Sequence, residues 1–313
     1  MPPDIRRVRQ AIHPLSILEG AGRGVSLKRS FPSYLLDYPD PFLLLDHFAS
    51  DDPAEYHAGF PMHPHRGIET VTYMLDGSMA HRDSLGNSSA IGPGDVQWLT
   101  AGSGILHEEM PQPGVNSPRM EGFQLWINLP GYLKMSRPAY QEIPAASIPQ
   151  VERSDGSTLR VICGEVDGAI GPAMGVSGDP VLLDISLPAG CNFNLPTSPD
   201  ATCLAYLYRG QVIFGPAPLE DEANEELIPA MPLSYSVPDR EPPGGLAAAK
   251  LVVFEDGDRL AARSPLGAAR FLLLQGRSLH EPIARHGSIV MHNHEELEDT
   301  LRDIHNGMFI RPV

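Results

Sequence analysis

Short runs of β-forming residues, each closed by a glycine turn, recur through the first half of the chain: "TVTYML" before "DGS", "SSAI" before "GPGD", then "VQWLTA" and "GFQLWINL". Asp-Gly between alternating apolar runs is a strong local hairpin signal, because such turns need residues that tolerate positive φ. A chain punctuated this way has little room for long helices. The 30 glycines and 32 prolines among 313 residues extend that constraint over most of the length. Since 42% of the residues are hydrophobic, a buried core is available, and the expectation is an all-β globular fold of sandwich or barrel type.

The second half echoes the first. "CLAYLYRGQVIFG" (203–215) can be laid over "VTYMLDGSMAH" (71–81) with Gly210 on Gly77, and "EDGD" (255–258) over "GPGD" (92–95), which predicts an internal duplication. Between the halves, "GYLKMSRPAYQEIPAASIP" (131–149) is Pro-rich and reads as a connection. The acidic stretch 216–245 reads as an exposed surface loop. Near the end, Leu297, Leu301 and Ile304 at helical spacing, with a glycine after them, predict one short helix.

A formal charge of −16 repels phosphate backbones, which argues against direct nucleic-acid binding and for small molecules or proteins as partners. Cys163, Cys191 and Cys203 form no CxxC and cannot all pair, so they are expected as reduced, buried thiols of a cytoplasmic protein. The opening "MPPDIRRVRQAIHPLSILEG" lacks an apolar signal core, and no run of roughly 18 apolar residues occurs that would span a bilayer. The expectation is a monomer that works away from membranes.

Two pairs of polar residues have the spacing of a metal site. On a strand, positions i and i+2 share a face, so His63 and His65 of "HPHRG" would project together, and so would His107 and Glu109 of "ILHEEM". Three imidazoles and a carboxylate suit Fe(II), Mn, Ni, Cu or Zn, whereas calcium and magnesium want more oxygens. Glu69 shares strand parity with both histidines and reads first as a hydrogen-bond partner behind a ligand, although a bend at Arg66-Gly67 would cancel that parity. His81 is expected to pack beside the site without binding metal. Trp98 and Trp126 read as core aromatics, and Gln124 as a residue facing substrate. His292 and His294 sit at the entry to the predicted helix, where i and i+2 diverge and Asn293 is a natural N-cap, so they are not expected to bind metal.

These stretches resemble the pirin family over nearly the whole chain, through "DPFLLLDHF" (40–48), "FPMHPHRGIETVTYMLDGSMAHRDSLGN" (60–87), "PGDVQWLTAGSGILHEEMP" (93–111), "GFQLWINLP" (122–130) and the tail "EPIARHGSIVMHNHEEL". The resemblance implies a bicupin, two β-barrels from one duplicated unit: a metal-binding barrel over 1–145 and a degenerate one over 146–313. It implies one transition metal ion, Fe(II) first, with Zn, Ni, Cu or Mn as alternatives in isolated protein, on His63, His65, His107 and Glu109. Glu69 falls where other cupins have a ligand, but pirins bind through the later glutamate. For the second barrel, matching Gly210 to Gly77 puts Pro196 and Ser198 at the His63 and His65 positions. Matching Gly257 to Gly94 puts Arg270 and Leu272 at those of His107 and Glu109, so no ligand is expected there.

The resemblance further implies quercetin 2,3-dioxygenase activity, in which a flavonol and O₂ are the partners and the ring opens with loss of carbon monoxide. Glu109 would take the 3-hydroxyl proton, with Glu69 in reserve. The alternative, implied by the family's nuclear members, is an iron-containing redox-sensing co-regulator that binds another protein without turnover.

Overall fold

The computed structural model describes residues 4–19, 24–114, 117–216 and 245–311. Most of the acidic stretch, 217–244, lies outside the described residues. The chain forms two compact units, each drawn from separated segments. One takes its residues from 13–150, 160–183 and 276–311, the other from 4–12, 151–159, 184–216 and 245–275. These units differ from a division at 145/146 in residues 4–12, 146–150, 160–183 and 276–311. Val8–Ile12 pairs antiparallel with Lys250–Phe254, while Ile289 bridges to Arg66. A strand edge leaves backbone donors and acceptors unpaired, and in each unit a chain end supplies the partner.

The unit that begins at residue 13 is built on two large sheets, with two short ladders besides, Glu165–Val166 on Ala169–Ile170 and Ala284–His286 on Ile289–Met291. Seven strands run in the order Ala139–Ile143, Val96–Thr100, Ile68–Asp76, Met120–Asn128, Phe42–Ser50, Val25–Phe31, Leu15–Glu19. Four run Phe60–His65, Ile105–Gln112, Ser78–Asp83, Ser88–Ile91. The first of those seven comes out of the stretch read as a connection: "AYQEI" finds an edge partner in "VQWLT", a long-range pairing that local periodicity does not reveal. Apolar faces of both sheets meet in shared clusters, one with Phe48, Met74 and Met120 against Met79 and Ile91, another with Leu43, Ile68 and Leu99 against Ile105. Each fully buried side chain of this size stabilises by about 1.5–3 kcal/mol.

The other unit repeats the plan. Gly77 and Gly210 both turn a hairpin at positive φ, 71° and 72°, and a Cβ at either would press on backbone oxygen. That part of the predicted duplication matches the strands. The second superposition does not: "EDGD" precedes Arg259–Ser264, a strand that pairs with Cys191–Pro196 and Gln211–Phe214 as Ile105–Gln112 pairs with Phe60–His65 and Ser78–Asp83. Following those registers puts Leu195, Thr197, Leu260 and Ala262 at the places of His63, His65, His107 and Glu109. Of the earlier correspondences, Arg270 and Leu272 are off because Gly257 and Gly94 open different strands, and Pro196 and Ser198 are off by one because the stretch up to the hairpin glycine is one residue longer in this unit. None of the four residues now in register is a histidine, cysteine or carboxylate.

The helix His294–His305 forms as expected, with the Asn293 side chain accepting from the Glu296 backbone N–H at 2.9 Å. His292 and His294 flank that cap. No helix among the described residues is long and apolar enough to cross a membrane. Cys163, Cys191 and Cys203 are buried and unpaired, and burial pushes the thiols of Cys163 and Cys203 up to about 12.

Candidate metal centre

His63 and His65 lie on Phe60–His65, the edge strand of the four-stranded sheet, where Pro61 and Pro64 interrupt no ladder that a central strand would need. Across from them, Ile105–Gln112 alternates strictly, so His107, Glu109 and Pro111 share its buried face. His107 pairs with His63, but Glu109 pairs with Phe60, and this one-residue bulge shifts the glutamate away from the histidines.

The ligand-capable nitrogens of His63, His65 and His107 all lie within 4.8 Å of one another. Nε2 of His63 faces Nε2 of His65 at 3.0 Å, while His63 Nδ1 donates to the Pro61 carbonyl at 2.8 Å, which turns the other nitrogen's lone pair toward the cluster. His107 is fully buried, and neither of its ring nitrogens has a hydrogen-bond partner. Burial holds the His65 and His107 imidazoles well below the ordinary histidine range, so both are neutral and keep a lone pair. An orphaned, neutral imidazole beside two others is costly without an acceptor of its lone pair, and a borderline cation with nitrogen preference satisfies all three. The donor set fits a first-row transition metal.

Glu109 lies outside that 4.8 Å group but lines the same cavity as His63 and His65. Its Oε1 accepts from Thr72 Oγ1 at 2.7 Å and Gln97 Nε2 at 3.1 Å, and its Oε2 from Gln124 Nε2 at 2.7 Å. Thr72 Oγ1 is also 2.8 Å from Gln124 Oε1, so one hydroxyl proton faces two acceptors. Gln124 thus faces the cavity as expected, and Thr72 and Gln97 join the site without having been marked by any sequence signal beyond alternation.

Glu69 is elsewhere. Gly67, at φ 78°, turns the chain between Phe60–His65 and Ile68–Asp76, so the parity linking Glu69 to the histidines is broken. Thr72 looks into the site, and Glu69 looks out of the opposite face of its sheet, where Thr100 Oγ1 donates to it at 3.0 Å. Burial pushes its carboxyl up to about 7. Neither the partner role behind a ligand nor the reserve-base role is open to it in this geometry.

His81 packs beside the cluster, its ring tilted 5.5 Å from that of His107, stacked on Tyr140 and bonded through Nε2 to Asp83 at 2.9 Å. Trp98 is core, as expected. Trp126 is not wholly so: it lines the cavity and meets His65 edge to face at 5.0 Å. That cavity measures about 570 Å³, and Leu27, Leu44, Phe48 and Phe60 supply its apolar wall. Burial pushes the Asp46 carboxyl up to about 6 even though Arg29 grips both its oxygens, at 2.8 and 2.6 Å.

The closing segment braces the turn that follows His63 and His65. A Cβ on Gly67 would sit 1.9 Å from the Val290 carbonyl oxygen. The buried Lys134 ammonium donates to the carbonyls of Gly67 and Val290 and to Asn128 Oδ1, satisfying all three of its protons. Arg66, also fully buried, donates to Thr300 Oγ1 (3.0 Å), Asp303 Oδ2 (2.9 Å) and the Phe309 carbonyl (2.9 Å).

Comparison with known sequences and structures agrees with this architecture. Residues 24–127 match the family described as Pirin, and 182–310 match the Pirin C-terminal cupin domain. A pirin-like protein of Caulobacter vibrioides is 39% identical, covering 92% of this chain and 94% of its own. A Pseudomonas aeruginosa protein named, provisionally, as a quercetin 2,3-dioxygenase is 38% identical over 95% of this chain and 94% of its own. Among solved structures, a quercetin 2,3-dioxygenase from Acinetobacter baumannii superposes with a TM-score of 0.81 at 30% identity, covering 97% of this chain and 98% of that one.

Proposed function

This chain belongs to the pirin family, and on that premise we propose that it is a metal-dependent dioxygenase, Fe(II) its working ion, that cleaves flavonols such as quercetin. The observation that carries the reading is the trio of imidazoles, two of them held neutral by burial and one with both nitrogens orphaned, at the wall of an apolar cavity that also presents a carboxylate. The relatives named for this activity support it. His63, His65 and His107 would hold the ion, with Glu109 as the fourth ligand or the proton acceptor. Bound there, the metal supplies Lewis acidity toward the flavonol 3-hydroxyl and a redox-active centre for O₂.

The chain's own residues handle the proton. Glu109 accepts it from the 3-hydroxyl at Oε2, to which the Gln124 amide donates, because Thr72 and Gln97 already donate to both lone pairs of Oε1 and hold the carboxylate in place. Apolar walls exclude water, which strengthens these contacts. The three buried thiols are in keeping with the cytoplasm, which is part of this proposal.

Metal analysis combined with oxygen uptake tests it. Iron-replete protein should consume O₂ with quercetin in proportion to its iron content, and Glu109→Gln should lose most of that rate while keeping iron. No uptake by the iron-replete protein with quercetin or related flavonols refutes the dioxygenase reading, and the co-regulator reading then takes its place.

A further inference from the structure

The cavity wall carries two guanidinium groups, and only one is committed to carboxylates. Arg29 is spent on Asp46, bidentate, and on Glu19 at 3.2 Å. Arg285 has no carboxylate within 4.0 Å among the described residues. It is nevertheless held in place. Its Nε donates to the Gly287 carbonyl at 2.8 Å, and its guanidinium carbon sits 5.1 Å from the Trp126 ring and 5.7 Å from that of Tyr38. Asp46, already gripped by Arg29, feels the Arg285 charge without pairing with it, so in a chain of net charge −16 this fixed cation is left to meet an acid brought by the ligand.

Trp126 ties this group to the histidines. Its ring is 5.0 Å from that of His65 and 5.1 Å from the Arg285 guanidinium, so the two lie no more than about 10 Å apart. We propose that Arg285 and Trp126 form the specificity shelf of the cavity, selecting a planar aromatic ligand that has one oxygen for the metal end and a second, acidic oxygen at its far end. Trp126 stacks on the ring system, and Arg285 donates to the distal oxygen. This rests on the flavonol reading and narrows it to flavonols with an ionisable hydroxyl on a ring other than the one that bears the 3-hydroxyl.

The test compares quercetin, which has such hydroxyls, with 3-hydroxyflavone, which does not. Zinc-loaded protein allows binding with little turnover, and quenching of tryptophan fluorescence reports it, Trp126 being one of only two tryptophans. Wild type should bind quercetin more tightly than 3-hydroxyflavone. Arg285→Gln should weaken quercetin binding about tenfold or more and leave 3-hydroxyflavone within about twofold. Arg285→Lys, which keeps the charge but not the planar fork, should fall between. With iron, Arg285→Gln should raise KM for quercetin with kcat little changed. Unchanged quercetin affinity in Arg285→Gln, equal losses for both ligands, or wild type that binds neither flavonol overturns the inference. If these affinities separate as expected but iron-loaded wild type takes up no O₂, the shelf stands and the dioxygenase reading falls.

Discussion

Replacing Arg66 with Met tests whether the closing segment holds the turn that follows His63 and His65. Methionine keeps most of the volume but removes three hydrogen bonds from a charged donor, each worth about 1.5–3 kcal/mol, and a guanidinium stack on Phe309 at 4.5 Å. Two terms reduce the loss. Asp303 keeps 25% of its side chain exposed and rehydrates when abandoned, and burying Arg66 itself costs desolvation that methionine does not. What remains is the buried Phe309 carbonyl and Thr300 hydroxyl stripped of their donor, for a net cost of about 3 kcal/mol. That corresponds to a shift of about two decades in the opening equilibrium of the segment. Hydrogen exchange of the His294–His305 amides should therefore speed up roughly a hundredfold. Strands such as Met120–Asn128 should change much less. Metal affinity should drop too, since Val290 N–H bonds to the Arg66 carbonyl and Ser288 Oγ donates to that of Pro64, between the two histidines. Helical amides that exchange within tenfold of wild type would refute the reasoning.

Three further outcomes are expected. Wild type should hold one equivalent of transition metal, His63→Ala or His107→Ala should hold none tightly, and the double change His292→Ala with His294→Ala should keep it; elemental analysis decides, and two equivalents would sink the single-site claim. Because burial raises the Glu69 carboxyl from an ordinary 4.5 to about 7, the folded state binds the extra proton between those values, so the Glu69 contribution to stability is fully present below pH 4.5 and is lost as pH rises through 7, by about 3 kcal/mol in all. Glu69→Gln should therefore flatten the fall in melting temperature over that window, and an unchanged profile would count against it. Gly67→Ala must move the Val290 carbonyl from 1.9 Å and accept φ 78°, so it should cost at least about 2 kcal/mol in denaturant unfolding and loosen the metal, measured by competition with a chelator.

Local rules were enough for much of this molecule. Alternation and glycine turns are properties of five to ten neighbouring residues, so the all-β character, the Gly77 and Gly210 hairpins, the Asn293 cap and the face shared by His107 and Glu109 could be read from the sequence alone. Where parity had to cross a turn it failed. The left-handed Gly67 starts a new strand, and Glu69, in phase with His65 on paper, points to the other side of its sheet. Register between distant strands has no local signature, so "EDGD" was laid over the wrong turn, "AYQEI" was not seen as an edge strand, and the bulge that sets Glu109 apart from His107 went unmarked. The placing of Arg285, Arg66's partners and Val290 around the histidines is likewise a matter of tertiary structure, because more than 200 residues separate them from His65 and only the folded chain decides which edges and buried charges find each other.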